Sequence, residues 1–119
     1  MLDLLYYATI GAFFTHELDA VKRHEWRVMP VLRALPERLG EQIFIWAHVP
    51  LFALLLWGGD GNPQSATRVG LAVFAIIHVG LHVFFRRHPA YEFNTVSSWA
   101  LIVLTGTLGA IYLAALGLA

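Results

Sequence analysis

The sequence predicts an all-α integral membrane protein: a four-helix bundle with a short cytoplasmic amphipathic segment between helices one and two. Three observations carry that prediction. Hydrophobic residues make up 58% of the 119-residue chain and charged residues only 13%, about half the roughly 25% of a typical soluble domain. A chain this small buries only about two-thirds of its surface when it folds in water, so its apolar excess needs another cover, and lipid is the simplest. Finally, four apolar stretches are separated by turn signals, and none alternates polar with apolar residues as a β-barrel span would.

The same arithmetic excludes a soluble globular monomer and a disordered chain. Eight basic and eight acidic residues give a formal net charge of zero, so no bulk field draws in nucleic acid. With no cysteine, disulfides, thiolate metal sites and cysteine nucleophiles are excluded as well. The chain reads as one domain, residues 1–119, with expected spans at about 3–21, 42–59, 66–86 and 96–118.

Each span follows from its apolar run and flanks. The first run, residues 4–14, has 11 residues and reaches the required length of about 20 only by continuing through His16, Glu17 and Asp19 to about Val21. The second, 43–57, has 15 residues and extends over Gly58 and Gly59; the third, 69–85, has 17; the fourth, 99–119, has 21. No cleavable leader is expected, because no basic residue precedes the first run. The glycine-rich stretch 58–63 is a dense turn signal, and His88-Pro89 breaks the chain between helices three and four. Pro50 is expected to kink helix two. Residues 27–41, with Pro30, Pro36, Leu32, Leu35 and Leu39 among charges, read as an interfacial amphipathic piece.

Basic residues set the expected orientation. Lys22, Arg23, Arg27, Arg33 and Arg38 lie between helices one and two, and Arg86 and Arg87 between three and four, against Arg68 alone on the other side. This bias puts both of those connections in the cytoplasm and both termini outside, in a plasma-membrane protein whose first partner is the bilayer.

The scarce polar residues inside the spans then become informative. His48 lies seven residues past Glu41; His78 and His82 lie eight and four before Arg86; His16 lies six before Lys22. At 1.5 Å per residue all four sit within about 6–12 Å of the cytoplasmic boundary. His78 and His82, at i and i+4, share a helix face, and so do His16 and Asp19 at i and i+3. Ionisable groups in a span are expensive and mark a site by default. The sequence thus predicts a polar pocket in the cytoplasmic half. His16, His48, His78, His82 and Asp19 are its candidate metal ligands, and Glu17 and Asp19 its candidate catalytic carboxylates.

Three chemistries fit such a pocket. Imidazoles with one carboxylate suit Zn or Fe. Facing histidines such as His48 and His78 could hold haem. Without a cofactor, His and carboxylate could relay protons or act on a lipid-soluble substrate. A ferritin-type di-iron site needs more carboxylates, in a Glu-x-x-His arrangement absent here.

Other features have plainer explanations. Lys22, Arg23, His24, Glu25 and Arg27 read as a solvated face, with Asp19–Arg23 an i, i+4 ion pair. Trp26, Trp46, Trp57 and Trp99 fall near span ends, as anchoring aromatics do. Gly70, Gly80, Gly106, Gly109 and Gly117 are expected to let helices approach closely.

The His16-x-x-Asp19 turn, with His78-Val-Gly-Leu-His82 near the end of a third helix, resembles the small integral membrane proteins of the HXXEE type, of unknown function. The resemblance implies a compact bundle with histidines on a later helix, a basic-aromatic connection (here Arg86-Arg87-His88-Pro89-Ala90-Tyr91) and a final span. Where that pattern has two adjacent acids, this sequence has Asp19 followed by Ala20, with Glu17 on the other side. The longer string from Phe13 to Ala20, with His24-Glu25-Trp26-Arg27, is more similar to a sister family. The resemblance implies no particular reaction.

Overall fold

The computed structural model describes residues 1–59 and 61–118; Asp60 of the expected turn and Ala119 of the last apolar run lie outside the described residues. Among the described residues four helices, α1 (Leu2–Lys22), α2 (Glu37–Trp57), α3 (Ala66–Phe85) and α4 (Val96–Leu118), make the all-α fold, with two single-turn 3-10 helices at Glu25–Arg27 and Leu32–Ala34. Three of them, α2, α3 and α4 as far as Gly117, are long and apolar enough to cross a membrane. Helix α1, which carries Asp3, Glu17, Asp19 and Lys22, is not among them.

The helix ends have local causes. α1 continues through Glu17 and Asp19 and stops where His24 turns left-handed, at φ 54° and ψ 47°. This is the position after a helix that glycine or asparagine ordinarily takes. α2 begins at Glu37 rather than near residue 42, because Pro36, at φ −52°, fits a helix entrance and an acid in the first turn favours the helix dipole. Residues 37–41 of the expected amphipathic segment therefore belong to α2, and the remainder folds around the two 3-10 turns. Pro50 lies within α2 without ending it. At the start of α3 the Arg68 backbone N–H donates to Ser65 Oγ at 3.3 Å, and at the start of α4 the Ser98 N–H donates to Thr95 Oγ1 at 3.1 Å; both are N-caps.

Helix α4 packs along both α1 and α3. Its approach to α3 depends on two glycines: a Cβ at Gly109 would stand 2.7 Å from the Ala72 carbonyl oxygen and 3.1 Å from Ala75 Cβ, and one at Gly106 would collide with Val79. Gly70, Gly80 and Gly117 have open space where a Cβ would go, so the expectation of close approach fails there. Trp26 also departs from its expected anchoring role. It is buried against Phe44, and its indole N–H donates to Glu37 Oε1 at 3.1 Å. Trp46 and Trp57 are exposed.

α2 buries only Gly40, Phe44 and Leu55, leaving Ile43, Trp46, Val49, Leu54 and Leu56 outward. Two apolar cores stack along the long axis. One is built on Tyr6, Ile10, Phe13, Leu71 and Tyr112, the other on Trp26, Phe44, Tyr91, Phe93 and Ile102. Beyond the first core, the buried Arg68 guanidinium donates to Asp3 Oδ1 at 2.6 Å and to the Gly59 carbonyl at 2.7 Å, and covers the Tyr6 ring. The histidines gather beside the second.

Candidate metal centre

Helices α1 and α3 run in the same direction, so the C-terminal halves of both reach the same end of the bundle. His16 from α1 there meets His78 and His82 from one face of α3. The ring centroids are 4.7 Å apart for His16–His78, 5.1 Å for His16–His82 and 4.6 Å for His78–His82. All three side chains are buried.

The fourth member is Glu25. The left-handed turn at His24 reverses the chain at the end of α1 and carries Glu25 back over the histidines. Its Oε1 lies 3.4 Å from His82 Nε2 and 3.7 Å from His78 Nε2. One potential ligand atom from each of His16, Glu25, His78 and His82 lies within 4.8 Å of the others. Burial alone would push the Glu25 carboxyl up, but the approach of His78 and His82 outweighs it and holds the group below the ordinary carboxylate range. The turn is fastened from outside: His24 Nδ1 meets Glu92 Oε2 at 2.8 Å, and Arg27 Nε donates to Glu37 Oε1 at 2.7 Å.

The environment is aromatic. Phe74 stacks on His78 at 5.3 Å, Phe93 stacks on His16 at 5.7 Å, and the Phe93 ring meets His82 edge-on at 4.6 Å. His82 Nδ1 pairs with the Tyr91 hydroxyl at 2.9 Å. Burial, and then the Glu25 charge, push that hydroxyl above its usual range, so it stays protonated. Among the described residues, no hydrogen-bond partner reaches His16 Nδ1, His16 Nε2, His78 Nδ1 or His82 Nε2.

The expected ligand set is thus changed at two positions. Asp19 lies apart from the group, with Oδ1 held by Arg23 Nε at 3.2 Å, the i, i+4 pair the sequence suggests. His48 is also apart: its Nδ1 meets the Phe44 carbonyl at 2.6 Å and its Nε2 meets Glu17 Oε2 at 2.6 Å. Glu17 Oε1 in turn lies 4.0 Å from His16 Nε2, so Glu17 links His48 to the edge of the cluster. A carbonyl only accepts, so His48 Nδ1 carries hydrogen. The short Nε2–Oε2 contact then holds a second proton, and the pair is neutral overall in either arrangement.

Glu25 is the residue that sequence reasoning missed. It sits in a charged run that looks solvated, and only the turn at His24 brings it inward. A signal was available in the spacing: a helix that must end within Lys22-Arg23-His24 can fold the next residue back over its own last turns.

Three imidazoles and a carboxylate form a donor set that Zn or Fe accepts, so the group could hold a metal ion. Comparison with curated proteins finds no match, and comparison with solved structures finds none either. A family profile matches residues 2–118, nearly the whole chain. The protein therefore belongs to that family, a family of unknown function (DUF6713).

Proposed function

We propose that the protein is a small multi-pass membrane protein with a Zn or Fe centre held by His16, His78, His82 and Glu25. One observation carries this reading: three buried imidazoles, four of whose nitrogens lack a partner among the described residues, converge with the Glu25 carboxylate. A buried polar atom left unsatisfied costs about 1–3 kcal/mol, and four of them weigh heavily against the roughly 5–15 kcal/mol that stabilises a domain. A neutral imidazole has one lone pair, so a cation bound by one nitrogen of each ring removes part of that cost. Ligand atoms on a tetrahedral ion with bonds of about 2.0–2.1 Å lie about 3.4 Å apart. The Glu25 contacts at 3.4 and 3.7 Å match this closely, and the remaining ligand atoms, within 4.8 Å of one another, reach it by closing up to about 1.4 Å.

In this reading the apolar outer faces of α2, α3 and α4 meet lipid, and the basic connections lie on the cytoplasmic side. Tyr91 accepts from His82 Nδ1–H, which fixes the tautomer that offers Nε2 inward. Phe13, Phe74 and Phe93 exclude water. When bound, the ion would supply Lewis acidity to a lipid-soluble substrate only through a coordination position beyond the four protein ligands, since a filled tetrahedral shell is a closed site. The Glu17–His48 pair favours a second reading, a non-enzymatic subunit or carrier, because it holds a shared proton at the edge of the cluster.

Elemental analysis of protein purified without chelators tests the metal reading. Near-stoichiometric Zn or Fe, lost in His78→Ala, is the expected result; a metal-free protein that binds neither ion on titration overturns it.

A further inference from the structure

On the outer surface at the histidine end, two hydrogen-bond donors face each other. The Ala90 backbone N–H lies 3.1 Å from His88 Nδ1, a contact that favours the tautomer with its lone pair on Nδ1 and its hydrogen on Nε2. Arg33 Nη1, from the second 3-10 turn, stands 3.2 Å from that same Nε2. A guanidinium has no lone pair to give, so in that tautomer neither atom satisfies the other. An oxyanion placed beside the pair, within hydrogen-bond reach of both nitrogens, would accept from both.

The surroundings identify the oxyanion's source. Lys22 at the end of α1, Arg38 in the first turn of α2, and Arg86 and Arg87 after α3 are exposed at this end. The carboxylate pairs formed by basic side chains involve Arg23, Arg27 and Arg68, so among the described residues these four cations and Arg33 pair with none. Such a field attracts anions and repels the ammonium of a zwitterionic headgroup. Beside it, Val31 and Phe84 are 76% and 77% exposed. Cationic donors bordered by outward apolar side chains match a molecule with a phosphate next to acyl chains.

We propose that Arg33 and His88 form a headgroup site for an anionic phospholipid, with one phosphodiester oxygen accepting from Arg33 Nη1 and His88 Nε2. The proposal rests on the reading of α2, α3 and α4 as membrane-embedded and is independent of the metal.

The test reconstitutes the full chain in vesicles of phosphatidylcholine with a minority of phosphatidylglycerol. The protein is then extracted in mild detergent, and retained lipid is read by native mass spectrometry. Wild type is expected to retain phosphatidylglycerol over phosphatidylcholine. Retention should fall roughly tenfold in Arg33→Gln and in His88→Phe, the value of one charge-assisted hydrogen bond, with helix content by circular dichroism unchanged. Equal retention of the two lipids overturns the proposal, as does undiminished retention in either variant. Complete displacement by excess inorganic phosphate reassigns the site to free phosphate and overturns the lipid assignment. A wild-type chain that does not float with the vesicles sinks the membrane reading along with this one; a chain that floats but retains no phosphatidylglycerol sinks this one alone.

Discussion

His48 Nε2 lies 2.6 Å from Glu17 Oε2, and that contact places His48 beside the cluster of His16, Glu25, His78 and His82 rather than within it. The distinction has a direct consequence for metal binding. His48→Ala is expected to keep one metal per chain at saturation and to weaken affinity by no more than the roughly 10–100-fold that loss of an outer partner costs. His16→Ala, Glu25→Ala and His78→Ala should each lose more than that. Isothermal titration with Zn orders the four variants, and a His48→Ala protein as poor as His78→Ala would contradict the assignment.

Tyr91 is expected to act through His82. Its hydroxyl lies 2.9 Å from His82 Nδ1, and Tyr91→Phe removes only that oxygen. Zn affinity should drop about 10–100-fold while the unfolding midpoint moves by the modest amount of one hydrogen bond, about 1 kcal/mol. Parallel metal titration and thermal unfolding separate this from general damage, which would lower both together.

Metal retention should depend on pH in one direction. Protons compete with the ion for imidazole lone pairs, so affinity falls as the pH is lowered from 7.5 to 5. Glu25, held below the usual carboxylate range by His78 and His82 against the effect of burial, stays ionised through that interval and adds no step of its own. Dialysis from pH 7.5 to 5 followed by elemental analysis reads the loss, which restoring the pH should reverse.

The backbone at His24 gives a sharper test of how Glu25 reaches the site. A left-handed conformation at φ 54° suits asparagine but strains a β-branched residue. His24→Val is expected to cost about 1–2 kcal/mol of stability and to weaken metal binding by displacing Glu25. His24→Asn, which accepts the conformation, should retain the metal. Equal metal affinity in the two variants would mean that this turn does not position the carboxylate.

Gly109 and Gly80 form a matched pair for packing. A Cβ at Gly109 would stand 2.7 Å from a backbone oxygen of α3, whereas one at Gly80 meets nothing within 4 Å. Gly109→Ala should therefore destabilise by about 1–3 kcal/mol, as overpacking does. Gly80→Ala should be neutral or stabilising, because alanine favours a helix by up to about 1 kcal/mol over glycine. Denaturation in detergent micelles followed by circular dichroism compares them.

Much of the helical layout was legible in the residues because apolar run length and turn chemistry are local. The apolar stretches and the breaks at residues 58–63 and at His88-Pro89 mark four helices. The i, i+4 spacing puts His78 and His82 on one face whatever packs against them. What misled was also local. Glu25 and Trp26 sit among charges that look solvated, yet Trp26 is buried against Phe44 and Glu25 lies over the histidines. Asp19 shares a face with His16 but is taken by Arg23, four residues on, at 3.2 Å.

By itself, then, the sequence determined the all-α class, the order of the helices and the shared face of His78 and His82, since each follows from spacing along a helix of fixed rise. Only the tertiary structure decided which carboxylate joins His16, His78 and His82, and that His48 is held by Glu17 instead. Those choices depend on the left-handed turn at His24 and on how α2 sits beside α1. Both bring together residues distant in sequence or reversed in direction, and periodicity carries no information about either.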